Sequence, residues 1–238
     1  MYRILRRYLV GDLVKYVSFP LNTKYVERIN NPVVRNVVKN SNKLENNLVR
    51  AKNKIKDYVL CNDFKYFVTI TCNNDFINRN DLDNLRRVIT NKIRYFRKKY
   101  NVTANYILIP EKHKKGGYHL HGVLDESFSK AIYINHNGFD SLHIFDNIGF
   151  SSIESIKSLS KVSSYITKYV SKDFAFRGLG EHLYYCSRGL KKPLFLEDIV
   201  YNNELFNDRF FDIRNDFCFL KYYDKNIKWK SFLNVTEK

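Results

Sequence analysis

Ten residues, Lys115-Gly-Gly-Tyr-His-Leu-His-Gly-Val-Leu124, constrain this chain more than any others. Gly116-Gly117 specifies a tight turn, because glycine takes positive φ at no steric cost. The apolar, β-favouring run from Tyr118 to Leu124 predicts a strand. Strand side chains alternate faces, so His119 and His121 share one face and Leu120 takes the other. Upstream, Tyr106-Ile-Leu-Ile-Pro-Glu111 predicts a second strand, joined to the first by a hairpin turn over 112–117. A hairpin of that length brings Glu111 to the level of the histidines. One carboxylate and two neutral imidazoles suit Mn²⁺, Zn²⁺ or Mg²⁺. Two histidines on a solvated strand give the same short pattern, so the rest of the chain must decide.

The 238 residues are long enough for one substantial core, with 44% hydrophobic residues to fill it. Lys and Arg number 41 against 24 Asp and Glu, a formal charge of +17. That excess suits a polyanion such as nucleic acid. Cys61, Cys72, Cys186 and Cys218 form no C-x-x-C pair. This argues against a zinc ribbon or disulfide framework and fits a reducing cytosol. The apolar start after Met1 is broken by Gly11, Asp12 and Lys15, so no signal-peptide core develops. No apolar run approaches the ~18–20 residues of a membrane span. The expectation is a cytoplasmic protein with a nucleic-acid partner and no membrane partner.

Along the chain, residues 1–40 are basic and weakly patterned, an arm on DNA or a helix packed on the core, with a break at Asn30-Asn-Pro32. Ser41 to Val59 predicts a helix capped by Ser41, with Leu44, Leu48, Ala51, Ile55 and Val59 on one side. Phe64 to Thr71 predicts a central strand, whose Phe67, Thr69 and Thr71 share a face open to a substrate. Asn80 or Asp81 caps a helix running to about Tyr100. Residues 125–152 read as short strands and loops, with His143 structural. Ile153 to Lys157 reads as a short helix or turn, and Lys161 to Lys172 as a helix. On that helix Tyr165 and Tyr169 lie on one face, flanked by Lys168 and Lys172. Spacing alone fits packing equally well. Ser187-Arg188-Gly189 followed by Lys191-Lys192-Pro193 reads as a phosphate clamp or a basic surface loop. The aromatic-rich residues 201–238 (Phe210, Phe211, Phe217, Phe219, Tyr222, Tyr223) add edge strands or a closing element. The chain lacks G-x-x-x-x-G-K-[ST] and G-x-G-x-x-G, so no nucleotide cofactor is expected.

Phe67-Val-Thr-Ile-Thr71, Glu111 with His119-Leu-His121, and Tyr165-Ile-Thr-Lys-Tyr169 occur in the order of the three motifs of HUH endonucleases. More narrowly, the chain resembles the replication initiators (Rep proteins) of rolling-circle plasmids and small single-stranded DNA phages. Tyr-Ile-Leu-Ile-Pro-Glu-Lys-His, Tyr-Ile-Thr-Lys-Tyr-Val-Ser-Lys172 and Cys186-Ser-Arg-Gly-Leu-Lys-Lys-Pro193 carry that narrower likeness, from about Arg50 to Pro193. Ile70 stands where the family strand usually has leucine. The resemblance implies an α+β fold, a central antiparallel sheet with helices packed on it and the His-x-His strand in its middle. It implies an endonuclease domain over 50–200; residues 1–49, a basic extension of undetermined role, and 201–238, a closing element of the same domain, carry no family motif.

By the same resemblance, Glu111, His119 and His121 bind one Mg²⁺ or Mn²⁺. Tyr165 or Tyr169 attacks the scissile phosphate, leaving a 5′-phosphotyrosyl link and a free 3′-OH. Lys168 assists, and Thr69, Thr71, Lys172, Ser187, Arg188, Lys191 and Lys192 meet DNA. The implied partners are single-stranded or hairpin origin DNA, with a host helicase and polymerase. A transposase or relaxase with the same chemistry is the nearest alternative, although relaxases typically use three histidines where this chain has Glu111. A silent DNA-binding initiator or repressor on the same fold, and an RNA-binding sheet, are further readings.

Overall fold

The computed structural model describes residues 2–21, 40–113, 116–172, 182–202, 213–214 and 219–224. In chain order the elements are β1 (Tyr2–Val10), β2 (Leu13–Pro20), α1 (Asn40–Cys61), β3 (Phe64–Cys72), α2 (Leu82–Tyr100), β4 (Tyr106–Lys112) and β5 (Tyr118–Asp125). After a 3₁₀ turn come β6 (Ile132–Ile134), β7 (Asp140–Leu142), a second 3₁₀ turn, β8 (Gly149–Ser155), α3 (Leu159–Lys172), β9 (Tyr185–Cys186), β10 (Leu194–Asn202), β11 (Ile213–Arg214) and β12 (Phe219–Asp224). The fold is α+β, as expected, with antiparallel sheets and helices packed on a sheet.

The chain divides into two compact units, Asn40–Lys191 and Met1–Lys39 with Lys192–Lys238. In the first, five strands pair antiparallel in the order β8-β3-β5-β4-β9, so the His-x-His strand is the middle one. One face buries Val68, Ile70, Leu108, Leu120 and Leu124 against Leu85, Ile89, Ile93 and Phe96 of α2. The other buries Ile107, Ile109 and Val123 against Ile55 and Val59 of α1 and Ile166 and Val170 of α3. The α2 ends are those the sequence predicts. Asp81 caps the start, accepting from the Asn84 N–H, and Asn101 ends it in the left-handed conformation at φ 50°.

In the second unit the sheet order is β10-β1-β2-β12-β11. β1 and β2 form a hairpin over Gly11-Asp12, replacing the expected arm or helix at the N-terminus. The hydropathy pattern hides this hairpin because cations occupy its interior. Arg3 and Lys15 are both buried, and Arg3 Nε donates to Ser18 Oγ at 2.9 Å. Arg6 forms a two-pronged ion pair with Asp198 of β10, at 2.7 and 2.6 Å. Phe219, Tyr222 and Tyr223 belong to β12, while Phe210, Phe211 and Phe217 lie outside the described residues, as does Val34 to Val38.

Three sequence expectations need correction. Ser41 lies inside α1 rather than capping it, since the helix begins at Asn40. Ile153 to Ser155 is extended, part of β8, and pairs with β3. Serine masks that strand, because Ser151 is buried with its Oγ bonded to Ser141 Oγ and to the Leu142 N–H. The boundaries drawn at 49/50 and 200/201 fall inside α1 and β10 respectively.

Gly122, the residue after the His-x-His pair, is dictated by close packing. A Cβ there would lie 2.3 Å from the Ile107 carbonyl oxygen and 2.5 Å from Leu108 Cδ2. Backbone cannot yield as a flexible side chain does. Gly122→Ala is therefore expected to destabilise the protein by roughly 1–3 kcal/mol, the usual range for overpacking. Urea unfolding of the two proteins measures this directly.

Candidate active site

The α1/α3 face of the main sheet is apolar at one end and polar at the other. Phe67, Thr69 and Thr71 of β3, His119 and His121 of β5, and Glu111 of β4 stand on this face, in line with Ile107, Ile109 and Val123. Register places Thr69 opposite His121, Thr71 opposite His119, and Glu111 opposite His119. The hairpin closes through the His113 N–H donating to the Gly117 carbonyl at 2.8 Å. Glu111 therefore reaches the level of the histidines, as the turn length predicts.

The threonines have a definite job. Thr69 Oγ1 lies 3.1 Å from His121 Nδ1, and Thr71 Oγ1 lies 3.1 Å from His119 Nδ1. Each imidazole is thus held by its Nδ1 edge. His121 Nε2 meets Glu111 Oε2 at 2.7 Å. Burial lowers the His119 pKa first, the neighbouring His113 and Arg79 charges lower it further, and Glu111 opposes them. These surroundings favour the neutral imidazole of His119.

Glu111 and His121 are in direct contact, and His119 stands beside them in register. Among the described residues no group of three His, Cys, Asp or Glu side chains is gathered closely enough to hold a cation. The donor types nevertheless fit a hard or borderline divalent ion: two imidazoles anchored at Nδ1, one of them with Nε2 on the Glu111 carboxylate and the other opposite Glu111 in register.

Helix α3 lies across this end of the sheet. The Tyr169 ring stacks on His121, with centroids 3.8 Å apart and planes 14° from parallel. Its hydroxyl donates to the Tyr165 hydroxyl at 2.7 Å. Phe67 supports both tyrosines, 5.6 Å from Tyr165 and 6.4 Å from Tyr169 by ring centroid. The two phenols are unequal: Tyr165 is 45% exposed and Tyr169 7%. Burial raises the Tyr169 pKa most, aided by the hydrogen bond to Tyr165 and by the Glu111 and Glu154 charges. Lys168 sits with its ammonium 5.6 Å from the Tyr165 ring centroid.

Other expected residues are placed differently. Ser187 is only 5% exposed, and its Oγ accepts from the Tyr106 N–H at 2.8 Å and from Arg97 at 3.1 Å. Its hydroxyl is committed inside the fold, so the clamp expected there loses that member. Arg188, Lys191 and Lys192 are exposed, and Lys172 is the last residue of α3. His143 is structural, its Nδ1 2.9 Å from the Ala131 carbonyl oxygen.

Sequence reasoning overlooked His113, whose ring lies 5.2 Å from that of His119. The Glu-x-His spacing of residues 111 and 113 was its signal, since extended chain puts both on one face. Arg79, in the loop after β3, had no such signal.

Residues 65–174 match a family model. It describes a replication-associated protein of the ORF2 type. The match covers a little under half of the 238 residues and contains Thr69, Thr71, Glu111, His119, His121, Tyr165 and Tyr169. Cys186 to Pro193 lies beyond it. No curated protein and no solved structure matches the chain. The matched segment supports a replication initiator, a protein that binds DNA in DNA replication. No helix among the described residues is long and apolar enough to cross a membrane.

The buried phenol has a consequence for stability. An ordinary tyrosine ionises near pH 10, and Tyr169 ionises at higher pH. Below pH 10 both folded and unfolded chains keep the proton and the stabilisation is complete. As pH rises past 10 the unfolded chain loses its proton first, so stability falls. Denaturant unfolding at pH 9 and pH 11 is expected to show a smaller alkaline loss for Tyr169→Phe than for wild type.

Proposed function

We propose that this chain nicks and rejoins single-stranded DNA at a replication origin by tyrosine attack, initiating rolling-circle replication. The observation that carries this reading is the Tyr165–Tyr169 pair, bonded hydroxyl to hydroxyl and seated on the His121–Glu111 contact. A packing pair of tyrosines needs no such partners beneath it.

In this reading the Tyr165 oxygen attacks the scissile phosphorus. The bond from phosphorus to the 3′ oxygen breaks, that oxygen takes up a proton as a 3′-OH, and the 5′ phosphate remains on Tyr165. A phenol near pKa 10 is a weak nucleophile at neutral pH unless activated. Tyr165 is the exposed hydroxyl, and it accepts a hydrogen bond from Tyr169. Tyr169, held neutral by burial, serves first as that donor. It becomes the second nucleophile when the displaced end must be held. Lys168 adds positive charge beside the Tyr165 ring. Exposed Arg188, Lys191 and Lys192, together with Lys172, supply backbone contacts to origin DNA, presented single-stranded or as a hairpin.

Glu111, His119 and His121 would hold one Mg²⁺ or Mn²⁺, with Thr69 and Thr71 fixing the imidazoles from behind. A divalent cation there supplies Lewis-acid stabilisation of charge on the phosphate oxygens. The phosphotyrosyl bond conserves the phosphodiester energy, so rejoining needs no nucleotide. Strand unwinding and synthesis fall to a host helicase and polymerase in the host cytoplasm.

The decisive experiment uses end-labelled single-stranded origin DNA on a denaturing gel, with Mn²⁺ or EDTA. Wild type is expected to give a metal-dependent nick with label carried to protein mass. Tyr165→Phe is expected to lose first-strand cleavage by at least about 10²-fold, Tyr169→Phe by less, and the double variant entirely. Tight binding with neither cleavage nor attachment, under any metal, sinks the nuclease reading and leaves a binding module.

The threonines give a separate readout. Thr71→Val is expected to weaken Mn²⁺ binding about 10–100-fold, the usual cost of removing a ligand's hydrogen-bond partner. Calorimetric titration measures this without DNA.

A further inference from the structure

A second feature uses none of the residues assigned above to metal or tyrosine chemistry. Between α2 and the β9 edge lies a cleft of about 630 Å³. Arg86, Arg94 and Arg97 line it from one face of α2, and Arg188 from the turn after β9. Tyr184 and Tyr185 complete it, and among the described residues its lining contains no carboxylate. Tyr106 on its floor packs in the α2-side core, the sheet face opposite the histidines.

The arginines are not neutralised by tight ion pairs. Arg86 has Asp83 only at 3.9 Å, and Arg94 bonds the neutral Asn91. Arg97 bonds the Ala104 carbonyl and Ser187, and its Nε is buried with no partner among the described residues. Two of them are already placed on aromatic faces. The Arg86 guanidinium lies 5.7 Å from the Tyr185 ring centroid, and that of Arg97 5.9 Å from Tyr106. Four cations with one loose carboxylate neighbour repel one another, which costs stability unless an anion arrives.

We propose that this cleft is a binding site for the backbone of single-stranded DNA, separate from the cleavage site. Arg86 and Arg94 are eight residues apart, about 12 Å along the helix axis at 1.5 Å per residue. That span matches a run of linked phosphates better than a single one. The tyrosines offer π-faces to bases, and a base can stack there only when unpaired. The cleft thus holds strand flanking the nick while the tyrosine pair works on the other side of the sheet. This extends the DNA-binding part of the proposed function and requires none of its chemistry.

The test uses the full chain carrying Tyr165→Phe and Tyr169→Phe, in EDTA, so that cleavage plays no part. A fluorescein-labelled oligonucleotide of about 20 mixed-sequence residues, enough to span one such site, and the same sequence as blunt duplex, are titrated by anisotropy across a range of KCl. Arg86→Ala/Arg94→Ala/Arg188→Ala is compared with the corresponding triple lysine variant, and thermal melts check that both fold. Each phosphate contact contributes a slope of about −0.7 on single strands, so the alanine variant should flatten the salt dependence by roughly 2. The lysine variant, which keeps the charge, should restore most of that slope. An unchanged slope in the alanine variant overturns the proposal. So does an equal loss on duplex, or equal loss in the folded lysine variant. Binding is read here without metal and without either tyrosine hydroxyl, so a failed nicking assay leaves this result standing.

Discussion

The pairing register of β3 against β5 is the relation on which the site depends. It sets Thr69 opposite His121 and Thr71 opposite His119, and a one-residue slip would turn every one of these side chains to the other face. The two Thr–His hydrogen bonds cannot hold that register alone, since each contributes only about 0.5–1.5 kcal/mol net. The opposite face decides it. Val68, Ile70, Leu120 and Leu124 are buried under α2, and exposing a side chain of that kind costs about 1.5–3 kcal/mol. The core fixes the register, and the hydrogen bonds then orient rings that are already in place. Gly122 belongs to the same arrangement, because it lets β5 lie tight against the Ile107 carbonyl between the histidines and the core.

What could be read from the sequence followed from how local each signal is. The α2 ends were legible because Asp81 and Asn101 act within one turn of the helix. The β4–β5 hairpin was legible because its turn and its alternation are contiguous. Helical period placed Tyr165 and Tyr169 on one helix face, and the length of the hairpin turn placed Glu111 at the level of the histidines. The β1–β2 hairpin was not legible, since its interior holds Arg3 and Lys15 and its neighbours β10 and β12 come from the far end of the chain. β8 was obscured for a related reason, with Ser151 filling a core position through hydrogen bonds rather than hydrophobicity. Ser187 erred in the other direction. A serine before Arg-Gly looks like a phosphate contact, but here it ties Arg97 and the Tyr106 amide together. In each case partners distant in sequence determine what a polar residue does.

The arginine cleft shows the same dependence. Arg86, Arg94 and Arg97 read in sequence as the solvated side of an amphipathic helix. They become a cleft only because β9 pairs with β4 at Ile107 and Leu108 and brings Tyr184, Tyr185 and Arg188 beside them. Net charge alone announces an attraction to polyanions. Placement of that charge on tyrosine rings beside a sheet edge narrows it to a path for a strand.

The tyrosine pair illustrates how a symmetric sequence motif becomes asymmetric in the fold. Two identical residues four positions apart on α3 differ only in what lies beneath them. Tyr169 falls over His121 and the edge of the apolar core, whereas Tyr165, one turn earlier, meets the edge of Phe67 and remains open to solvent. Desolvation penalises an anion at Tyr169, whose hydroxyl instead donates to that of Tyr165. An exchange of roles requires the Tyr169 ring to leave its stack on His121, or the bound DNA to supply the charge that burial withholds. A phosphate chain already anchored elsewhere on the protein lowers the entropy cost of bringing the next phosphodiester to that position. In the proposed mechanism, strand binding and nucleophile exchange act through the same polymer.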